Sequence, residues 1–216
     1  VVLSATAGRY TQLPVSRLLA QENKLKSESC IQYNVGAQYE GDGRFYKAEL
    51  YYKKYDRLAL VEKGTVDAAE VLTSGGYGYS KGFDLFFNDR VLLKNLEYQL
   101  SYTYNIAKRK FQEYTELTTP QYATQHNASL VLKYSIPRIS TIVGLTNRFS
   151  SGRPYHNPDL LGLMNDHVKP YNSLDLGLTF LPSKKVIIHA SATNILCRKN
   201  EFGRVNNKAI LASNDH

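Results

Sequence analysis

The stretch "LEYQLSYTYNI", Leu96 to Ile106, decides the fold of this chain. Its apolar or aromatic side chains alternate strictly with polar ones, a period of two that is typical of a β-strand with one apolar and one polar face. Similar alternation recurs along the sequence, and helix is predicted only locally, at Val15 to Leu25. We predict strands near residues 1–9, 30–40, 44–58, 76–88, 94–108, 126–136, 139–150, 171–181 and 185–196, with a tenth starting near 208.

The connections between these strands alternate between short and long. Residue types that favour hairpin turns occur at Gly41 to Gly43, near Asn88, around Pro137 and at Pro182 to Lys184. The long connections run from about Tyr10 to Ser29, Ala59 to Gly75, Lys110 to Gln125 and Gly152 to Pro170. Outer-membrane barrels have short periplasmic turns and long external loops. The pattern therefore predicts an all-β fold, a transmembrane antiparallel up-and-down β-barrel, rather than a soluble sandwich.

The alternation also predicts which side chains face lipid and which face the lumen of the barrel. Strands of about 9–11 residues can cross a membrane, and Leu96 to Ile106 meets that length. The side chains predicted to face lipid include Leu100, Tyr102, Leu130, Leu132, Leu176 and Leu178. Those predicted to face the lumen include Gln99, Ser101, Ser129, Lys133, Asp175 and Thr179.

Composition excludes some classes of protein and leaves others open. No apolar run approaches the ~20 residues of a membrane helix, which excludes helical spanning. The net charge is +8 and the pI about 9.3, but the 27 Lys and Arg residues are scattered along the chain, so no nucleic-acid partner is predicted. The expected neighbours are outer-membrane lipid and phosphate-rich lipopolysaccharide.

Several segments carry a family resemblance. They are "GYGYSKGFDLFFND" (Gly76 to Asp89), "YQLSYTYNIAKRKF", "ATQHNASLVLKYSIP" and "NRFSSGRPYHNP". In order and spacing the chain resembles the C-terminal barrel region of TonB-dependent receptors of Gram-negative outer membranes. The resemblance implies a barrel of about 22 strands with a plugged lumen. It also implies that residues 1–216 are part of a single barrel domain, about nine or ten strands, from which the plug and the remaining strands are absent.

The resemblance further implies a location in the cell outer membrane and a function in transport. Such a receptor takes up a scarce nutrient, such as an iron chelate, a vitamin, a peptide or a glycan, and contacts TonB through its N-terminal plug. Two alternatives remain open at this point. One is a passive porin-type channel, and the other is a barrel that anchors a surface lipoprotein partner. A plug encoded upstream would separate a receptor from a porin.

No enzyme, cofactor or metal site is predicted, because the five His residues lie in no ligand spacing. The candidate binding residues lie instead at the external rim, in "NRFSSGRPYHNPD", where guanidinium groups can hold oxyanions and tyrosine can stack on a ring. An alternative interpretation is a loop-shape motif in which Gly152 turns the chain and Pro154 stiffens it. The predicted substrate-binding residues are Arg148, Arg153, Tyr155, His156 and Asn157.

The two cysteines are predicted to be unbridged. Cys30 begins the second predicted strand and Cys197 follows the ninth, so both belong near the external rim. Neighbouring strands lie about 4.8 Å apart, so the two should be roughly 20–30 Å apart. A disulfide needs Cα atoms within about 7 Å. We also expect that the sheet does not close on itself and that other segments or chains complete the barrel.

Overall fold

The computed structural model describes residues 1–63, 70–205 and 208–211. Within them, a short helix α1 (Ser16–Gln21) lies between the first two strands, and a 3₁₀ turn (Pro137–Ile139) precedes the eighth. The strands are β1 (Val2–Gln12), β2 (Glu28–Gly41), β3 (Arg44–Lys63), β4 (Glu70–Leu93), β5 (Leu96–Phe111), β6 (Tyr114–Thr118), β7 (His126–Ile136), β8 (Thr141–Ser150), β9 (Pro154–Tyr155), β10 (Asp166–His167), β11 (Tyr171–Ser183), β12 (Val186–Ala192), β13 (Glu201–Val205) and β14 (Lys208–Leu211).

One antiparallel sheet dominates the chain. Its strands follow the order β1-β2-β3-β4-β5-β7-β8-β11-β12, and β6 pairs with β5 at the side. Strands β9 and β10 form a separate pair, as do β13 and β14. The predicted meander of antiparallel strands is therefore confirmed. In the part of the chain that the structure describes, β1 pairs with β2 alone and β12 with β11 alone, so the sheet is open.

The predicted division into two faces is confirmed by the register. Leu100 lies opposite Leu130, and Leu132 lies opposite Leu145, which in turn lies opposite Leu176. Ser101 lies opposite Ser129 on the other side of the sheet. We call the side that holds the six predicted lipid-facing residues the apolar face, and the side that holds the six predicted lumen-facing residues the polar face.

The turn at "GDG" forms as predicted. Gly41 pairs with Arg44, which leaves a loop of two residues, and both Asp42 (φ 52°) and Gly43 (φ 75°) adopt left-handed backbone angles. A type I′ hairpin turn requires positive φ at both of its central positions, and Asp-Gly is one of its preferred sequences. Local chemistry therefore sets the connection between β2 and β3.

The turn predicted near Asn88 is wrong. Strand β4 continues to Leu93, which pairs with Leu96, so the chain reverses later than predicted. At Asp89 the register shifts instead, because its carboxylate Oδ1 accepts hydrogen bonds from the backbone N–H groups of Val91 and Leu92, both at 2.8 Å. The polar residues thus form a bulge within the strand.

The long connection predicted from Ala59 to Gly75 is also largely wrong. Strands β3 and β4 continue to pair as far as Lys63 and Glu70. Within this connection, residues 64–69 lie outside the described residues. Register shifts occur around Leu58, at the base of this projecting hairpin. There Leu58, Ala59 and Leu60 are buried, and Gln112 exchanges backbone hydrogen bonds with Ala59 (2.6 Å) and Val61 (2.8 Å). These tertiary contacts keep the segment in a strand.

The other long connections contain short elements. Helix α1 confirms the local helix predicted within Val15 to Leu25, and it buries Leu18. Strand β6 lies in the connection after β5, and the β9–β10 pair lies in the connection after β8. The tenth predicted strand forms as β14, in its own small sheet with β13. No helix among the described residues has the length and hydropathy needed to span a membrane.

The prediction of two unbridged cysteines is confirmed. Cys30 lies in β2 and Cys197 is exposed, and both thiols are free. The chain leaves β12 earlier than predicted, at Ala192, and Cys197 lies in a turn that its N–H closes with the carbonyl of Asn194 at 2.8 Å. Cys30 lies in β2, near one edge of the sheet, whereas Cys197 follows β12 at the other edge, which accounts for the absence of a bridge.

Candidate functional site

A cleft of about 390 Å³ lies on the polar face of β2 to β5. Residues of the connection between β6 and β7, among them Tyr122 and Thr124, line one side of it. On β4 the polar face carries only small residues at this level, Gly78, Ser80 and Gly82, between larger side chains of β3 and β5. The side chains that line the cleft are therefore smallest along β4, its middle strand.

Glycines in β4 let side chains of the flanking strands meet across it. Gly82 lies between Tyr51 and Asn105, and the Tyr51 hydroxyl donates across it to Asn105 Oδ1 at 3.0 Å. The Ser80 hydroxyl donates to the same oxygen at 2.8 Å. A methyl group on Gly82 would lie 1.9 Å from the carbonyl oxygen of Tyr104. Only glycine fits at this position without a shift of the backbone.

Gly78, four residues closer to the loops, likewise lets side chains of the flanking strands meet across β4. It lies between Tyr55 and Arg109, and the Arg109 guanidinium packs over the Tyr55 ring at 4.0 Å from its centroid. The rings of Phe111 and Tyr122 lie 5.8 Å from the same guanidinium. Arg109 Nε is buried and has no hydrogen-bond partner among the described residues. Arginine is therefore held here by aromatic rings.

The acidic groups of the cleft are already engaged. Glu49 forms an ion pair with Lys47 at 2.7 Å, and Asp84 accepts a hydrogen bond from the Thr103 hydroxyl at 2.5 Å. Within the described part of the chain, no group of three or more His, Cys, Asp or Glu side chains is arranged to hold a metal ion. The cleft is therefore a surface of polar and aromatic side chains.

The predicted rim residues lie mostly in one folded loop. Tyr155 is only 4% exposed, and its hydroxyl donates to Asp166 Oδ2 at 2.6 Å. The side-chain amide of Asn157 donates to the same oxygen at 3.0 Å, and His156 between them is exposed. A methyl group on Gly152 would lie 1.9 Å from the carbonyl oxygen of Val168. Only glycine fits at this close approach of the two backbone segments of the loop.

The two predicted arginines have different surroundings. Arg148 lies in β8 on the polar face, and its Nη1 pairs with Asp175 Oδ2 at 2.6 Å. The Arg153 guanidinium lies 4.9 Å from the centroid of Phe202, in β13, and Phe202 stacks on Tyr171 with centroids 5.9 Å apart. The hydrogen bonds of Tyr155 and Asn157 converge on Asp166, so the structure joins these two and leaves Arg148 in a separate pair.

Sequence reasoning missed the residues of the cleft and the partners of the rim loop. Asp166 and Phe202 lie in segments where no strand or site was predicted. On β3, Tyr51, Lys53 and Tyr55 share the polar face at alternate positions. That run of large side chains opposite the small residues of "SGGYGYSKG" is a signal that could have identified the cleft.

Replacing Tyr155 with phenylalanine should loosen the rim loop. The hydrogen bonds from the Tyr155 hydroxyl and from Asn157 lower the pKa of Asp166, and the bond to Asp166 raises the pKa of Tyr155. The stabilisation by this carboxylate is therefore present above the ordinary Asp pKa of about 3.9 and is lost as pH falls through the lowered value.

We expect hydrogen exchange in residues 152–168 of the Tyr155→Phe protein to be roughly tenfold faster at pH 7. Protection in the parent protein should persist from pH 7 to pH 5. His156→Ala, which alters an exposed neighbour, is the matched control and should leave exchange unchanged. Equal acceleration in both variants would show that the Tyr155 hydroxyl does not order the loop.

Comparison with protein families identifies one that covers nearly the whole chain. The family described as "TonB dependent receptor-like, beta-barrel" matches residues 2–195. No curated protein sequence matches the chain.

Solved structures with the same fold include the following three proteins. The ferric-catecholate import receptor Fiu from E. coli K12 is 12% identical, with a TM-score of 0.76 over 97% of this chain and 30% of its own. FpvA from P. aeruginosa, bound to a pyoverdine, is 16% identical, with a TM-score of 0.76 over 97% of this chain and 29% of its own. The FrpB iron transporter from Neisseria meningitidis is 13% identical, with a TM-score of 0.68 over 91% of this chain and 33% of its own. The chain spans about a third of the length of these proteins.

Proposed function

Since this chain belongs to the TonB-dependent receptor-like β-barrel family, we propose that it forms part of the wall of a receptor that takes up a scarce nutrient through a plugged barrel. The family consists of receptors and transporters rather than enzymes, and its location is the outer membrane of Gram-negative bacteria. In such barrels the apolar side faces lipid and the interior is polar.

The proposal rests mainly on one observation. The sheet has an apolar and a polar face, and the connections are short at one end of its strands and long at the other. Short turns such as Asp42–Gly43 join the strands at one end, and the long connections lie at the other, next to the cleft. A ligand that arrives from outside would meet the long connections first and then the polar face. The proposed nutrient is an iron chelate, a vitamin, a peptide or a glycan. Of these, the structural neighbours support the iron chelate, since they include a ferric-catecholate import receptor and a siderophore receptor.

The proposal assigns ligand contact at the rim to the side chains that the loop leaves accessible. His156 is exposed and the Arg148 side chain is 56% exposed. Arg153, Tyr155 and Asn157 would support the same surface by fixing the shape of the loop. A plug domain and remaining strands, supplied by other segments or chains, would complete the barrel.

The lipid environment of the receptor is part of the proposal. The register sets Arg9, Lys54 and Lys108 in one cross-strand row of the apolar face, near the end with the long connections. Cations at that height can hold phosphate groups of lipopolysaccharide. Phosphate analysis of the receptor purified from outer membranes should detect bound lipopolysaccharide, and less of it after Lys54→Gln and Lys108→Gln.

Energy-dependent uptake tests the function. Cells that carry the whole reading frame should accumulate one nutrient of a labelled panel of iron chelates, vitamins, peptides and glycans, and deletion of TonB should abolish that uptake. Uptake that persists without TonB would favour a passive porin-type channel. A stable surface lipoprotein that copurifies with the receptor, without any uptake, would favour the anchoring alternative.

A further inference from the structure

The unusual feature of the cleft is a cation that lies among aromatic rings. Arg109 reaches across Gly78 onto the face of Tyr55, with Phe111 and Tyr122 beside it. In the part of the chain that the structure describes, no carboxylate lies within ion-pair distance of it. Stacking of a guanidinium on a ring fixes its position and leaves its N–H groups to be satisfied by other acceptors.

A second cation lies in the same part of the cleft. Lys53 is half-buried, two residues from Tyr55 on the polar face, and its Nζ lies 5.5 Å from the centroid of the Tyr51 ring. The two carboxylates of the cleft lie further along the strands: Asp84 lies opposite Glu49 and Thr103, whereas Lys53 lies opposite Ser80 and Arg109 opposite Gly78. The end of the cleft beside the loops therefore carries two cations, Arg109 and Lys53, that form no ion pair with the described residues.

We propose that this end of the cleft binds an oxyanion group of a small ligand, with Arg109 as the principal contact and Lys53 as the second cation. The inference rests on the proposed uptake function, for which it names the charge class of the ligand. An oxyanion supplies the acceptors that the guanidinium lacks, and charge-assisted hydrogen bonds to arginine are among the strong ones. At about 390 Å³, the cleft is within the range of small-molecule sites.

Direct binding of small anions to the purified whole receptor tests the proposal. Equilibrium dialysis would use labelled inorganic phosphate and benzoate, a tetrahedral and a planar oxyanion, and benzamide as the neutral counterpart of benzoate. Arg109→Gln should weaken the binding of both anions by about 10- to 100-fold, and Lys53→Gln by about 3- to 10-fold. Benzamide should bind far more weakly than benzoate and should be insensitive to both changes.

Lys133→Gln is the matched control, because Lys133 is a cation of the same face, and both it and its partner Glu97 lie outside the lining of the cleft. It should change anion binding by less than about twofold. If Arg109→Gln does not fold, Arg109→Lys keeps the charge and should bind more weakly than the parent protein. Equal effects of the Lys133 and Lys53 variants, or no phosphate binding by the parent receptor at millimolar concentration, would overturn the proposal.

This experiment is independent of transport. Anion binding needs neither TonB nor a membrane potential, so an Arg109-dependent affinity without any TonB-dependent uptake would overturn the proposed function and leave the oxyanion site intact. Unchanged uptake by the Arg109→Gln receptor, together with undiminished phosphate binding, would overturn the oxyanion site and leave the proposed function intact.

Discussion

Replacing Gly82 with alanine is expected to prevent most of the receptor from folding. A Cβ at this position would lie 1.9 Å from the backbone oxygen of Tyr104 and 2.8 Å from the Tyr51 hydroxyl. The backbone oxygen belongs to the neighbouring strand, so relief requires that β4 and β5 separate and that the Tyr51–Asn105 hydrogen bond break. We expect a loss of about 3 kcal/mol or more, at the upper end of the cost of overpacking.

Gly144→Ala is the matched control for this change. Gly144 is also a glycine of the polar face within a strand, but a methyl group added there would have the oxygen of Gly177 as its nearest neighbour, at 3.8 Å. This variant should fold like the parent protein or slightly better, because alanine restricts the unfolded chain. Heat-modifiable gel mobility gives the folded fraction, and urea titration gives the stability. Similar folded fractions for the two variants would contradict the close approach at Gly82.

Replacing Asp89 with alanine should have an effect of comparable size. The Asp89 side chain is inaccessible to solvent, and it accepts hydrogen bonds from the Tyr46 hydroxyl and from the N–H groups of Val91 and Leu92. Arg44 Nε lies 3.3 Å from its Oδ2. Truncation leaves the Tyr46 hydroxyl and the two N–H groups without their acceptor and Arg44 without its ion-pair partner, and we expect the unfolding equilibrium constant to rise by about 100-fold or more.

Two further variants separate the contributions of Asp89. Asp89→Asn keeps one acceptor oxygen for the backbone of the bulge and should lose less stability than Asp89→Ala. Asp56→Ala removes a carboxylate whose pair with Lys54, at 3.7 Å, is exposed, and it should change the equilibrium constant by less than about threefold. Urea unfolding of the whole receptor is the measurement. If the Asp89→Ala protein is as stable to urea as the Asp56→Ala protein, the contacts of Asp89 in the bulge do not stabilise the sheet.

The sequence predicts the sheet well because local chemistry determines most of it. Alternation in Leu96 to Ile106 specifies the strand and its two faces, and the Asp42–Gly43 pair specifies a hairpin turn, so neither depends on distant residues. Each short connection then places the two strands that it joins side by side. These features were predictable, and the register confirms them.

The errors occur where distant residues decide the outcome. Asn88 and Asp89 have the composition of a turn, yet Asp89 is held within β4 by Tyr46 and Arg44 of another strand. The segment from Ala59 lacks a clear alternation, yet Gln112 holds it in an extended conformation through the backbone. Tertiary contacts override local preference in both cases.

The candidate site was only partly predictable for a similar reason. The rim loop has a local motif, so Tyr155 and Asn157 could be selected from the sequence. Arg109 and Tyr55 face each other only because Gly78 lies between them in the register, and no local pattern reports that arrangement. Asp166 likewise becomes the partner of Tyr155 only after the loop has folded.

The buried trio Leu58, Ala59 and Leu60 gives the projecting hairpin a different response to temperature from that of the strands below it. Side chains that face lipid gain little from leaving it, because hydrocarbon is as apolar as they are. Burial away from water carries a large heat-capacity change and weakens on cooling. The base of the hairpin is therefore stabilised chiefly by entropy near room temperature, so that cooling loosens this region while the hydrogen-bonded wall beneath it stays intact.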